Sequence, residues 1–168
     1  GFEVDPATAA LCRRAPLDEL PAERICEEWR KLLLRSPSPS VGLRVARDTA
    51  QLERLFPEAM PALGGDDSAV DRAAAASTDA PEGFRLALLV GTWLHRCTPA
   101  QLEATLDRLW LHKWAGYPQR KALLRALPEL HTPTPHDAAL RHLSTRCELA
   151  LALGIRQAVR GDATGDLE

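Results

Sequence analysis

The spacing of the apolar residues constrains this chain more than any other feature. Apolar residues recur at i, i+3, i+4 and i+7 along most of the sequence, and the strict alternation typical of strands is missing. Many of these segments begin with a capping residue followed by proline, the order that starts a helix. The sequence therefore predicts an all-α fold, an irregular array of about nine short helices in two packed subdomains.

The predicted helices lie on both sides of one turn-forming run. They cover about residues 5–14, 21–35, 39–47, 49–56, 68–76, 82–96, 98–110 and 118–127, and a last one begins at Thr134-Pro135 and ends at Gly154 or Gly161. Gly64-Gly65-Asp66-Asp67 is the best linker candidate. We therefore divide the chain into residues 1–62, residues 63–160 and an acidic tail, residues 161–168, which we expect to be frayed.

Composition excludes several classes of protein. The four cysteines form no Cys-x-x-Cys motif, which argues against a zinc ribbon or a thioredoxin-type site and favours mostly buried thiols in a reducing compartment. No apolar run reaches the roughly 18 residues that a membrane span needs, and no signal peptide is visible. We therefore expect a cytoplasmic protein with no membrane partner.

Motifs for catalysis or metal binding are missing from the sequence. Gly64-Gly65-Asp66-Asp67 has no preceding strand to present it to a phosphate, and its two carboxylates would repel one. The five histidines form no His-Glu-x-x-His motif, and no Gly-x-Ser-x-Gly marks a nucleophile. Cys26 borders the apolar stripe of the second helix, where a packed thiol is favoured. The sequence thus predicts no catalytic residue and no metal ligand.

The four tryptophans separate into two groups. Trp29, Trp93 and Trp110 fall on apolar stripes, which predicts that they pack in the core. Trp114 lies in the mixed basic and aromatic segment Leu111-His112-Lys113-Trp114-Ala115-Gly116-Tyr117. It is the better candidate for ligand contact, with a plain helix-turn anchor as the alternative.

The cations suggest a different activity. The net charge of −2 excludes polyanion binding driven by bulk charge. Local groups of Lys and Arg can nevertheless follow a phosphate backbone, although a solvated helical face is the alternative. The candidates for RNA contact are Arg24, Lys31, Arg35, Lys113, Trp114, Arg120, Lys121 and Arg125.

Several segments of the first 60 residues resemble a known enzyme family. They are Val4-Asp5-Pro6-Ala7-Thr8, Leu20-Pro21-Ala22-Glu23-Arg24-Ile25, Glu28, Lys31-Leu32-Leu33-Leu34, Ser38-Pro39-Ser40-Val41-Gly42-Leu43 and Leu55-Phe56-Pro57-Glu58. They are similar to the neck region of bacterial tRNA nucleotidyltransferases and poly(A) polymerases. Within the neck motif, Glu23, Arg24, Glu28 and Lys31 match residue by residue. Residues 69–76, 84–94 and 106–109 look like the helical body that follows the neck.

The resemblance implies a region without the catalytic head. In this family a Gly-Ser loop and a pair of Asp on a sheet carry nucleotidyl transfer, and no such loop or strand is present here. Mg²⁺ and nucleotide would belong to that absent head, so we expect no cofactor in this chain. Where many members have a metal-binding His-Asp pair, this chain has His95-Arg96, and Arg does not ligate a cation.

The expected function follows from these implications. The chain would be the C-terminal, RNA-binding and head-supporting region of a template-independent nucleotidyltransferase that processes tRNA or other RNA 3′ ends. Its partners would be RNA and the catalytic head in the same polypeptide, and the choice between adding CCA and adding only A would belong to the head. The alternative is a helical protein-interaction module, or a degenerate His-Asp-type domain, with no RNA role.

Overall fold

A computed structural model describes residues 4–17, 19–63, 67–134 and 136–161 of the chain. Within these ranges the fold is all-α, as predicted, with ten α-helices, two 3-10 segments (Met60–Ala62 and Leu127–His131) and no strand. The helices are α1 Pro6–Arg14, α2 Ala22–Arg35, α3 Pro39–Asp48, α4 Gln51–Leu55, α5 Ser68–Ala76, α6 Glu82–Trp93, α7 Pro99–Arg108, α8 Gln119–Ala126, α9 Asp137–Arg146 and α10 Leu149–Arg160. None of these described helices has the length and apolar character that crossing a bilayer requires.

Helix starts follow the capping signals in the sequence. The Asp5 carboxylate accepts the backbone N–H groups of Ala7 and Thr8 at 3.0 and 3.1 Å, which caps α1. At α7 the predicted capping box is confirmed: Thr98 Oγ1 accepts from the Gln101 N–H, and Gln101 Oε1 accepts from the Thr98 N–H. Proline then occupies the first helical position, where its missing N–H costs nothing.

The prediction of a single last helix is wrong. Two helices stand in its place, and the chain is extended at Cys147, with φ −144° and ψ 171°. Just before the break, the hydroxyls of Ser144 and Thr145 donate to the carbonyls of Arg141 and His142, both at 2.7 Å. Such local bonds compete with the helical ladder. The apolar period continues across the break, so the pattern itself does not reveal it.

Three rings join the first 63 residues to the rest of the molecule. Trp29 of α2, Phe56 after α4 and Trp93 of α6 lie with each pair of ring centroids 5.5 Å apart. All three are buried, at 8%, 0% and 5% exposure. Around them α6 packs against α2, α5, α8 and α10, so one continuous core supports α2 from beneath. Most of the predicted linker (residues 64–66) and of the predicted tail (162–168) lies outside the described residues.

Candidate nucleic-acid interface

The segment of residues 110–117, here called the aromatic turn, is shaped by backbone hydrogen bonds. At the end of α7, the Leu111 N–H donates to the Leu106 carbonyl and the Trp110 N–H to the Asp107 carbonyl, both at 2.9 Å. This pair of bonds is the Schellman motif that closes many helices. Further on, Trp114 and Tyr117 exchange two backbone bonds of 3.0 and 2.8 Å around a two-residue loop. Both ends of the aromatic turn are therefore fixed.

A glycine on α6 lets the aromatic turn approach closely. A Cβ at Gly83 would lie 2.6 Å from the Tyr117 Cβ and 2.7 Å from the Trp114 carbonyl oxygen. The buried Gln119 amide donates to the Gly83 carbonyl at 2.6 Å, which ties the start of α8 to the same point. Because backbone fills the space that any side chain would need, the distance between the aromatic turn and α6 is set.

Helix α2 meets the aromatic turn through one cation–π contact. The guanidinium carbon of Arg30 lies 3.5 Å from the centroid of the Trp114 ring. The indole Nε1 of Trp114 donates to Glu82 Oε1 at 3.3 Å, so the ring is also attached to α6. Arginine stacked on an indole face is a favourable arrangement that leaves its edge N–H groups directed elsewhere.

Two recesses open on either side of this stack. The larger, here called the α2–α6 groove, measures about 500 Å³. It is lined by Glu27, Arg30, Lys31, Leu34, Arg35, Thr78, Ala80, Glu82, Arg85 and Trp114. The smaller, here called the outer recess, measures about 360 Å³. It is lined by Glu23, Cys26, Arg30, Trp110, Leu111, His112, Lys113 and Trp114.

Two arginines of the groove lack an acceptor. The Nε atoms of Arg30 and Arg85 are buried, and no hydrogen-bond partner reaches them among the described residues. The Nε atom of Arg47 also lacks a partner, but Nη2 of the same guanidinium is engaged. Arg47 pairs with Asp67 at 2.7 Å and reaches the Leu63 carbonyl at 3.0 Å. A buried cationic donor without an acceptor is costly, so the groove is prepared for an anion.

Lys31 is less available than the two arginines. Its ammonium lies 3.0 Å from carboxylate oxygens of both Glu27 and Glu28. Hydrogen bonds to these two carboxylates raise the pKa of Lys31, and the bond to Lys31 lowers the pKa of Glu27. Glu28 thus pairs with Lys31, one turn further along α2, while Arg24 stays exposed.

The structure brings together only part of the predicted RNA-contact set. Lys31, Arg35 and Trp114 line the groove, and Lys113 lines the outer recess beside Trp114. Arg120 instead pairs with Glu103 at 2.8 Å and with Asp107. The remaining candidates lie outside both recesses: Arg24 on α2, and Lys121 and Arg125 on the exposed face of α8.

Sequence reasoning placed Trp110 in the core, and that prediction is wrong. The side chain is 57% exposed. Helix α7 ends at Arg108, so the apolar period that assigns Trp110 to a buried stripe no longer applies at this position. Trp29 and Trp93, by contrast, are buried as predicted.

Arg85 was missed as a candidate. It belongs to α6, a helix in which nine residues are buried, from Gly83 to Trp93. A single cation within such an apolar run is the sequence signal that points to Arg85, because an unpaired charge at the edge of a core costs free energy and is uncommon.

The position that resembles the family's His-Asp pair is built differently here. His95 Nδ1 lies 2.8 Å from the Thr92 carbonyl oxygen, and burial lowers the pKa of His95. Burial also raises the pKa of the nearby Cys97 thiol to about 11, which keeps it protonated and unreactive. Among the described residues, no three His, Cys, Asp or Glu side chains converge as metal ligands do.

Comparison with known proteins identifies one region of the chain. Residues 1–63 match the family described as "Probable RNA and SrmB- binding site of polymerase A". No curated protein and no solved structure matches the chain. The match includes α2 and its cations, and it ends at Leu63, before the described residues resume at Asp67. The first 63 residues are therefore similar to an RNA-binding region of the poly(A) polymerase type.

Proposed function

We propose that this chain binds RNA in the α2–α6 groove, as the region that follows the catalytic head of a template-independent RNA nucleotidyltransferase. One observation carries the proposal: two guanidinium groups, those of Arg30 and Arg85, line one groove and donate no hydrogen bond to any described residue. The family match of residues 1–63 supports the choice of RNA over other anions.

The chemistry of the groove suits a phosphodiester backbone. Its lining holds the cations Arg30, Lys31, Arg35 and Arg85 against the carboxylates Glu27 and Glu82. Glu27 is engaged with Lys31, and Glu82 with the Trp114 indole. The free positive charge therefore belongs to arginines, whose planar donors match phosphate oxygens in pairs. Trp114 adds an aromatic wall, as single-strand binding sites often do.

Neutralising the two arginines tests the proposal. We expect Arg30→Gln with Arg85→Gln to weaken binding of a labelled oligoadenylate by about tenfold or more at low salt, since each loses a charge-assisted contact. The slope of log affinity against log salt should fall by about one per arginine. Lys121→Gln with Arg125→Gln removes the same charge from α8 and is the matched control.

The outcomes of this comparison are distinct. A loss confined to the groove pair supports the proposal. An equal loss in both double variants points to diffuse electrostatic attraction and contradicts it, as does the absence of any binding at low salt. A circular-dichroism melt of each variant checks that the fold is kept.

We further propose that α1 and the segment after it contact the catalytic head in the same polypeptide. α1 has no buried residue, and Leu11 is 70% exposed, with Val4 at 40% and Leu20 at 43%. Such side chains gain free energy when another surface covers them. The head would supply Mg²⁺, nucleotide and the choice between CCA and A-only addition to tRNA or other RNA.

Reading the coding sequence upstream of Gly1 tests the head. A strand followed by Gly-Ser and an Asp-x-Asp pair supports it, and their absence contradicts it. In the second case the exposed apolar residues favour a separate protein partner, a role consistent with the SrmB binding named for the matching family. A pull-down with wild-type chain and with Leu11→Ser would then compare the proteins that each retains.

A further inference from the structure

Trp110 occupies a backbone position that suits glycine. It follows the C-cap of α7 as the residue of the Schellman motif that takes a left-handed conformation, with φ at 50°. An L-residue with a Cβ pays a steric penalty in this region, and glycine does not. The helix would therefore end at least as well without a tryptophan.

Burial does not compensate for this strain. The Trp110 ring is 57% exposed, whereas the neighbouring Leu109 and Leu111 are 2% and 3% exposed. The Schellman motif ordinarily gains from an apolar contact between Leu106 and Leu111, and both are buried here without help from Trp110. A strained, exposed aromatic residue on a fixed turn indicates a role in contact with something outside the chain.

The surroundings indicate what that contact is. Trp110 lines the outer recess together with Lys113, His112 and the stacked Arg30–Trp114 pair. One carboxylate, that of Glu23, faces the same recess. An exposed indole face beside cations matches a nucleobase joined to its phosphates, while an apolar protein surface would leave Lys113 and Arg30 without partners.

We infer that Trp110 is a stacking platform for one unpaired base of RNA, with Lys113 and Arg30 near its phosphates. The inference rests on the proposed RNA binding and adds the substrate class, which is single-stranded RNA. Inside a duplex both faces of each base are covered by neighbouring bases, so an indole platform can stack only on a terminal pair. The outer recess and the groove share Arg30 and Trp114, so one strand can pass from one to the other.

The test compares three substitutions at Trp110 with three probes. Trp110→Asn accepts the left-handed conformation and removes the ring, Trp110→Gly relieves the strain fully, and Trp110→Phe keeps an aromatic face. The probes are oligoadenylate, a blunt RNA duplex of equal length and inorganic polyphosphate, which has charge but no bases. Ala50→Gly, at another left-handed position with φ 59°, is the matched backbone control.

We expect Trp110→Asn and Trp110→Gly to weaken oligoadenylate binding by about fivefold or more, and Trp110→Phe to retain most of it. Duplex and polyphosphate binding should not change, and neither variant should melt below the wild type. An equal loss of affinity for all three probes overturns this inference and leaves the proposed RNA binding intact. The same holds if the Trp110 variants keep their oligoadenylate affinity while the Arg30/Arg85 variant loses its own. Failure of the wild type to bind RNA at all overturns the proposed function first.

Discussion

The aromatic residues of this chain form two regions that differ in what they contact. Inside, Trp29, Phe56 and Trp93 contact one another, with centroids 5.5 Å apart and little exposure. At the surface, a guanidinium lies over the Trp114 ring, and the Trp110 side chain is 57% exposed. The inner region joins helices, and the outer region offers ring faces and charge to a ligand.

Helix α2 belongs to both regions. Trp29 faces the core, and the next residue, Arg30, lies over Trp114 in the groove. The packing of α2 in the core therefore fixes where Arg30 lies in the proposed interface. The position of the groove therefore depends on the packing beneath it.

The largest effect should come from the inner region. Phe56→Ala removes a fully buried ring that stacks on Trp29, and we expect it to lower the free energy of unfolding by about 3–5 kcal/mol. Phe56→Leu keeps most of the volume and should cost much less. Urea unfolding measures both. If Phe56→Ala cost below about 1 kcal/mol, the aromatic cluster would not be the joint between the two halves of the fold.

The next effect couples the two regions. Gly83→Ala places a methyl group against the Trp114 carbonyl and the Tyr117 Cβ, so the aromatic turn must move away from α6. We expect a loss of about 1–3 kcal/mol in stability, together with weaker oligoadenylate binding, because Trp114 shifts relative to Arg30. Thermal melts and binding titrations measure the two effects.

Gly154→Ala is the matched control for that variant. Gly154 is also helical, but its added Cβ would meet only the flexible Leu88 side chain, at 3.0 Å. We expect a change in stability within about 1 kcal/mol and unchanged RNA binding. If Gly83→Ala behaved the same way, the aromatic turn would not be positioned by its contact with α6.

A smaller effect concerns the anchor of the aromatic turn. The Tyr117 hydroxyl donates to the Glu148 carboxylate at the start of α10, and burial together with this bond raises the pKa of Tyr117. Tyr117→Phe should cost about 1 kcal/mol at neutral pH. Because the pKa is raised on folding, the tyrosine stabilises fully below its unfolded pKa near 10 and loses that contribution as pH rises further.

The pH profile distinguishes this anchor from simple packing. Unfolding free energies of wild type and Tyr117→Phe, measured from neutral pH to above about 10, should converge at the alkaline end. The cysteine thiols, whose pKa values are also raised by burial, titrate equally in both proteins and cancel in the difference. A difference independent of pH would show that the hydroxyl bond contributes nothing.

Local sequence signals predicted much of the fold. The Asp5 cap, the capping box at Thr98 and the proline starts of α1, α3 and α7 depend on residues within one turn of each other, and the structure has them. The helix predicted to start at Thr134-Pro135 begins instead at Asp137, with His136 as its N-cap. The break between α9 and α10 was not predictable in the same way. The apolar residues keep their helical spacing through Cys147. The hydroxyl bonds of Ser144 and Thr145 just before the break do not alter that spacing.

The candidate site was only partly predictable because partners come from distant segments. Trp114, Lys31 and Arg35 belong to the predicted set and line the groove, but Arg30 is not in that set, because nothing local places it on Trp114, 84 positions further along the chain. Trp110 was misassigned because it lies two residues past the end of α7 at Arg108, where the helical period no longer applies. Whether an Arg or Lys is paired depends on the Asp and Glu side chains that folding brings near it. The number of charged residues in the sequence does not contain that information.

The smallest expected effect tests that last point on Arg120. In sequence it looks as suited to RNA as Arg30, but folding pairs it with Glu103 and Asp107, and these bonds raise its pKa. Arg120→Gln frees these two carboxylates and removes one positive charge, but Arg120 lines neither recess. We expect oligoadenylate affinity to fall less than for Arg30→Gln alone, with little change in the melting temperature, since exposed ion pairs contribute little to stability.

Glu103→Gln with Asp107→Asn releases the Arg120 guanidinium and should leave oligoadenylate binding unchanged or stronger. An Arg120→Gln loss as large as that of Arg30→Gln would mean that pairing does not decide which arginines are available, and the contrast between engaged and free cations would fail.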